Sequence, residues 1–114
     1  MKTGQDGENL AAKFLEAKGF EIVARNYRYR KAEIDLIVQK DDWLLFVEVK
    51  TRSSTALGTP ETFVDIRKLN RIIDAAEAYI YANDWNGHIR FDIISVTLGW
   101  ETEIIHFEDV INYG

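Results

Sequence analysis

Cysteine is absent from this 114-residue chain, and proline and methionine each occur once. The missing thiols exclude a disulfide framework, a thiolate metal site and a cysteine nucleophile, and they fit a reducing compartment. Long apolar runs are missing as well. The opening Met1-Lys2-Thr3-Gly4-Gln5-Asp6 has no apolar signal region, and no segment approaches the length needed to cross a bilayer. No membrane partner is therefore expected, and the expected location is the cytoplasm. Repeats, linkers and low-complexity stretches are also lacking. With 46% hydrophobic and 29% charged residues, the chain has the composition of a folded unit, and its length suits a single domain over residues 1–114.

The formal net charge of −5 argues, as a total, against a polyanion partner. Its distribution argues otherwise. Residues 1–71 carry 13 Lys/Arg and 11 Asp/Glu, whereas residues 72–114 carry 1 and 8. The cations gather in three clusters: Arg25 to Lys31, Lys50 with Arg52, and Arg67, Lys68 and Arg71. Local potential, not the total, decides where a phosphate docks.

Apolar spacing predicts a first helix over residues 5–18, with Leu10, Ala11, Phe14 and Leu15 inward and Gly19 as a left-handed cap closed by Phe20. Glu21 to Ala24 reads as a short strand, followed by the basic segment. Ile34 to Gln39 and Leu44 to Lys50 then form a hairpin turning at Asp41-Asp42. A Thr-, Ser- and Gly-rich loop, Thr51 to Thr59, leads to a long helix capped by Thr59, begun by Pro60 and buried through Phe63, Ile66, Leu69, Ile73, Ala76 and Ile80. Strands over His88 to Thr97 and Ile104 to Phe107 follow, then a helical turn over Glu108 to Asn112. The order α-β-β-β-α-β-β predicts an α/β fold, a mixed central sheet flanked by helices.

The hairpin carries the chemistry. A turn at Asp41-Asp42 sets Asp35 opposite Glu48 and Glu33 opposite Lys50, all on one face. Like charges placed opposite each other are destabilising, and a hard cation such as Mg²⁺ or Mn²⁺ between Asp35 and Glu48 resolves the conflict. The ordinary alternatives are a solvated charged face or an ion pair with Lys50, which still leaves one negative charge over. Glu8, in the first turn of the first helix, is either a third carboxylate at this metal site or a residue that stabilises the helix dipole. Lys50 has donors and no lone pair, so it is no metal ligand; its expected role is to orient a water or to stabilise charge on a phosphate in the transition state. Together Asp35, Glu48 and Lys50 read as phosphodiester hydrolysis, with Glu8 added only under its third-carboxylate reading. His88, His106 and Asp92 read as structural.

For nucleic acid, the expected contacts are Arg28, Arg30, Lys31, Arg52, Lys68 and Arg71. Tyr27 and Tyr29 interleave with the first cluster, a pairing that suits phosphate contact plus stacking. The same segment also reads as a charged edge strand that discourages aggregation.

Gly7-Glu8, Asn26-Tyr27-Arg28, Glu33-Ile34-Asp35-Leu36-Ile37, Phe46 through Arg52, Gly58 through Glu61 and Arg90-Phe91-Asp92 resemble the YraN family of bacterial proteins across nearly the whole chain. That family is similar to archaeal Holliday junction resolvases and, through them, to the restriction-endonuclease-like PD-(D/E)XK superfamily. The superfamily pattern is a strand aspartate, then Glu-x-Lys on the next strand, often with a glutamate from the first helix. Here these correspond to Asp35, Glu48, Lys50 and Glu8. Two positions depart from the pattern: Ile34 stands where the motif has proline, and Ala32 where the family commonly has glycine. The resemblance implies a metal-dependent nuclease on branched DNA and, because resolvases cut two strands symmetrically, a homodimer. The alternatives are a non-catalytic nucleic-acid-binding module with the same fold and a protein-interaction domain.

Overall fold

A computed structural model of the protein describes residues 3–53 and 66–111. The element order is α1 (Thr3–Ala17), β1 (Glu21–Tyr29), β2 (Ala32–Lys40), β3 (Trp43–Ser53), α2 (Ile66–Ala82), β4 (His88–Leu98) and β5 (Glu103–Phe107). This is the predicted order. The five strands form one sheet in sequential order, antiparallel throughout except for the parallel β3–β4 pair. A parallel pair needs a crossover, and the connection containing α2 supplies it.

Period-two alternation in β2, β3 and β4 sorts their apolar residues to two faces. Leu36, Val38, Leu45, Val47, Ile94 and Val96 pack with Ala11, Ala12 and Leu15 of α1. Ile37, Leu44, Phe46 and Phe91 pack with Ala75 and Ala76 of α2. Two adjacent alanines let that helix approach the sheet closely. Aromatic rings fill the space around them: Phe46 stacks on Phe91 with ring centroids 5.3 Å apart, and Tyr79 meets Tyr27 edge-on at 5.3 Å. Because β3 and β4 are covered on both sides, their sequences read as nearly continuous apolar runs.

The ends of α1 and of the hairpin follow the predicted chemistry. Gly19 takes φ +95°, and the Phe20 N–H reaches back to the Leu15 carbonyl at 3.1 Å. Asp41 takes φ +55° in the two-residue turn between Lys40 and Trp43.

Three expectations need correction. The first strand does not end at Ala24: Arg25 to Tyr29 continue β1 as an edge strand paired with β2, one of the two readings of the basic segment. Ile66 is exposed, since the inward face of α2 turns through Ile72, Ile73, Tyr79 and Ile80 instead. Glu108 to Val110 form no helical turn, because Asp109 takes φ +57° while its N–H donates to Asp92 and the Val110 N–H donates to the Phe91 carbonyl. His88, read as structural, lies at the surface, where its ring stacks on Trp43 and its backbone N–H donates to the Asp42 carbonyl. Thr59, Pro60 and Phe63 lie outside the described residues. No helix among the described residues is long and apolar enough to cross a membrane.

Asp92 is structural, as expected of a polar residue in an apolar strand. Its side chain is fully buried and accepts hydrogen bonds from Arg90, from His106 Nε2 at 2.7 Å and from the Asp109 N–H. The His106 Nδ1 lies 2.9 Å from the Lys18 ammonium. An ammonium can only donate, so Nδ1 accepts and the ring proton is on Nε2. Burial alone would raise the Asp92 carboxyl, but these donors outweigh it and hold it below the ordinary carboxylate value. Asp92→Ala removes the shared acceptor of Arg90, His106 and the Asp109 N–H at once. It should cost about 3–5 kcal/mol in urea unfolding, and a loss under 1 kcal/mol would show that the network contributes little.

Candidate metal and nucleic-acid site

Strands β2 and β3 pair from Lys40↔Trp43 to Leu36↔Val47. The next step in this register sets Asp35 against Glu48, as the turn predicted. There the ladder ends. In a regular continuation the Val49 N–H would bond the Ile34 carbonyl; it donates instead to Asp35 Oδ2 at 2.8 Å. A side-chain oxygen has replaced a backbone one. Ile34 and Ile37, three residues apart, both join the α2-side core, which a flat strand of period two does not allow, so β2 twists as it parts from β3. The predicted opposition of Glu33 and Lys50 is lost in that parting: Glu33 is carried toward β1 and pairs with Arg28 Nε at 3.2 Å.

Helix α1 closes the site from the other side. A Cβ on Gly7 would overlap the Thr51 hydroxyl, so only glycine lets the first turns of α1 lie this close to β3. Glu8 is thereby brought within electrostatic reach of Asp35. It does not converge into a three-carboxylate cluster: among the described residues no group of three His, Cys, Asp or Glu side chains is placed to hold a metal ion. Asn26 Nδ2 donates to Glu8 Oε1 at 3.1 Å and restrains it. That asparagine takes φ +50°, a left-handed conformation that Asn tolerates better than most residues.

Asp35 is the most perturbed acid in the site. Burial is the main reason its carboxyl is pushed up to about 7; the Val49 N–H opposes the rise, while the charges of Glu48 and Glu8 and a hydrogen bond with Glu48 add to it. Two carboxyl groups can share such a bond only when one holds a proton. Below pH 7, therefore, this pair holds a proton in place of a second negative charge. Cations complete the balance: the Lys68 ammonium of α2 pairs with Glu48, and Lys50 Nζ lies 4.0 Å from the same carboxylate oxygen. Lys50 runs beside Ser95 in the parallel ladder. The Ser95 hydroxyl is buried and has no hydrogen-bond partner among the described residues.

A basic hollow adjoins the acids. Lys31, Arg67, Lys68 and Arg71, with Glu33 and Ile72, line a space of about 390 Å³ between the β1–β2 turn and α2. A second hollow, lined by Tyr29, Arg30, Lys31 and Arg71 together with the acid Asp74, continues along it. The structure thus brings Arg30, Lys31, Lys68 and Arg71 of the predicted contacts onto one groove. Arg28 is engaged by Glu33 on the edge strand, and Arg52, half-buried, follows Lys50 along β3.

The sequence profile of uncharacterised protein family UPF0102 matches residues 7–96. The chain belongs to that family. It is 46% identical over 107 residues to a UPF0102 protein of Flavobacterium psychrophilum, a match covering 93% of this chain and 90% of that protein. It is 43% identical over 110 residues to one from Cytophaga hutchinsonii, covering 96% of each. A UPF0102 protein of Alkaliphilus oremlandii is 45% identical over 102 residues, covering 85% of this chain and 86% of that protein. All the candidate site residues of this UPF0102 protein fall within the matched span.

The sequence places Gly7 and Asn26 among the residues of the family resemblance but gives neither a role in the site. Gly7 carries no chemistry and looks like any helical glycine until the helix is laid on β3. Asn26 sits in a basic run that draws attention to its cations.

The sign of the Asp35 shift makes a prediction. Its carboxyl is raised in the folded chain from an ordinary 3.8 to about 7, so the folded state holds a proton that the unfolded chain has released. This contribution to stability is full below pH 4 and is lost as pH rises through 7, with a slope of up to about 1.4 kcal/mol per pH unit. Asp35→Asn should flatten that part of a denaturation profile between about pH 4 and 7. Equal slopes in the two proteins would contradict the assignment.

Proposed function

We propose that this UPF0102 protein is a divalent-metal-dependent nuclease that hydrolyses phosphodiester bonds in DNA, branched DNA foremost. The observation that carries the reading is the Asp35–Glu48 pair, two partly buried carboxyl groups drawn together with Lys50 two residues further along the strand. The donor set fits a hard cation: it is all oxygen, it is poorly solvated, and a proton on Asp35 and the Lys68 ammonium supply the positive charge that an ion would bring. Asp35 and Glu48 would hold Mg²⁺ or Mn²⁺. Glu8 would add negative potential, and would ligate only by exchanging its bonds to Asn26. The ion would supply Lewis-acid polarisation of a phosphoryl oxygen and a more acidic water.

The rest falls to the chain. Lys50, half-buried and positioned by its ladder with β4, presents an ammonium to a phosphate oxygen as charge develops there. Arg30, Lys31, Arg67 and Arg71 receive the flanking backbone phosphates, and Arg52 lies one strand residue beyond the Lys50 neighbour Thr51. The resemblance to resolvases supports the same reaction class and a homodimer acting on paired strands in the cytoplasm. The competing reading is a binding module that keeps this groove and does not cleave.

Cleavage of branched, duplex and single-stranded DNA with Mg²⁺ or Mn²⁺ separates the two. The parent protein should cut at least one substrate, and Lys50→Ala should bind that DNA about equally well while cutting roughly a hundredfold or more slowly. Asp35→Ala should lose metal affinity. A parent that binds DNA but cuts none of these substrates would hand the site to the binding-module reading.

A further inference from the structure

One ammonium belongs to both halves of the site. Lys68 pairs with Glu48 through Nζ, yet its side chain also lines the basic hollow with Lys31, Arg67 and Arg71. Its base is on the first turns of α2, and its side chain is about half exposed. A long, flexible stem can therefore swing between the carboxylate and the groove without moving the helix. Glu48, by contrast, is held: its side chain is only 13% exposed, on a strand that stays paired with β4 through this position. The mobile partner is the lysine.

We propose that Lys68 is a tethered counter-ion which a divalent cation displaces from Glu48 and which then becomes a phosphate ligand in the groove, so that cation binding and polyanion binding strengthen each other. The proposal rests on the metal-site reading of Asp35 and Glu48. Its logic is charge conservation within a poorly solvated pocket. Without an ion, Glu48 needs Lys68; with an ion bound, the lysine is repelled and its charge is available a side-chain length away, where Lys31, Arg67 and Arg71 already hold positive potential. A fourth cation added to that cluster repels the other three unless phosphates arrive. A bound polyanion therefore draws Lys68 out of the site and opens Glu48 to the ion. By linkage the two effects are the same factor read from either ligand.

The test is Mn²⁺ binding, followed by electron paramagnetic resonance, with and without a phosphorothioate-backbone duplex that resists hydrolysis. The parent should bind Mn²⁺ at least about fivefold more tightly when the duplex is present, the lower end of ordinary coupling. Lys68→Gln should bind Mn²⁺ more tightly than the parent in the absence of duplex, and the duplex should then change its affinity less than about twofold. Lys31→Gln removes a charge from the same hollow without touching Glu48, so it should weaken duplex binding and keep the coupling. If Lys68→Gln binds Mn²⁺ no better than the parent, or keeps the full coupling, the tethered counter-ion is wrong. Glu48→Gln tells that failure from the other: loss of Mn²⁺ in this variant upholds the site while Lys68 alone is rejected, whereas unchanged Mn²⁺ binding rejects the site and the proposal together.

Discussion

The bond from the Val49 N–H to the Asp35 carboxyl group is the constraint on which the site depends. It forms where the β2–β3 ladder ends, and it substitutes a side-chain acceptor for a backbone one. Three consequences follow from that exchange. Asp35 is pulled into a poorly solvated position against Glu48, β2 is free to twist away, and Glu33 leaves for β1. An acid that serves as a backbone acceptor cannot be solvated away from its neighbour. The strain of two adjacent carboxyl groups is thus fixed by the hairpin and is relieved by protons and ammonium groups.

Two strand aspartates are withdrawn from water, Asp92 fully and Asp35 in part, and they differ in what surrounds them. Asp92 has donors on both oxygens, from Arg90, His106 and a backbone N–H, and its carboxyl is held below the ordinary value. Such a group is satisfied and holds the C-terminal segment to the sheet. Asp35 has one backbone donor and two acidic neighbours, and burial drives its carboxyl up to about 7. That imbalance is what the proposed cation would correct. Nothing in the residue type distinguishes the two; the surrounding donors do.

Much of this was legible in the sequence because it depends on local chemistry. The two-residue Asp41-Asp42 turn fixes the register, and the register brings Asp35 to Glu48. Gly19, Phe20 and the apolar periods of α1 and the central strands likewise act over short range. Features set by tertiary contact were not legible. Period-two reasoning kept Glu33 beside Lys50, since it carries no information on where a ladder will break. Helical spacing put Ile66 inside, but α2 meets the core only from Ile72 onward. The role of Lys68 is equally invisible along the chain: twenty residues separate it from Glu48, and only the docking of α2 on the sheet makes them partners. Gly7 belongs to the same class, a requirement imposed by a neighbour that is distant in sequence.

The central claim is that the Asp35–Glu48 pair holds a proton where it can hold a metal ion, and a carbon-13 NMR titration of the Asp35 carboxyl carbon tests it most directly. Without divalent ions the midpoint should lie near 7, and saturating Mg²⁺ should lower it by at least about one pH unit because proton and ion compete for the same oxygens. A midpoint at the ordinary aspartate value, unmoved by Mg²⁺, would contradict the account.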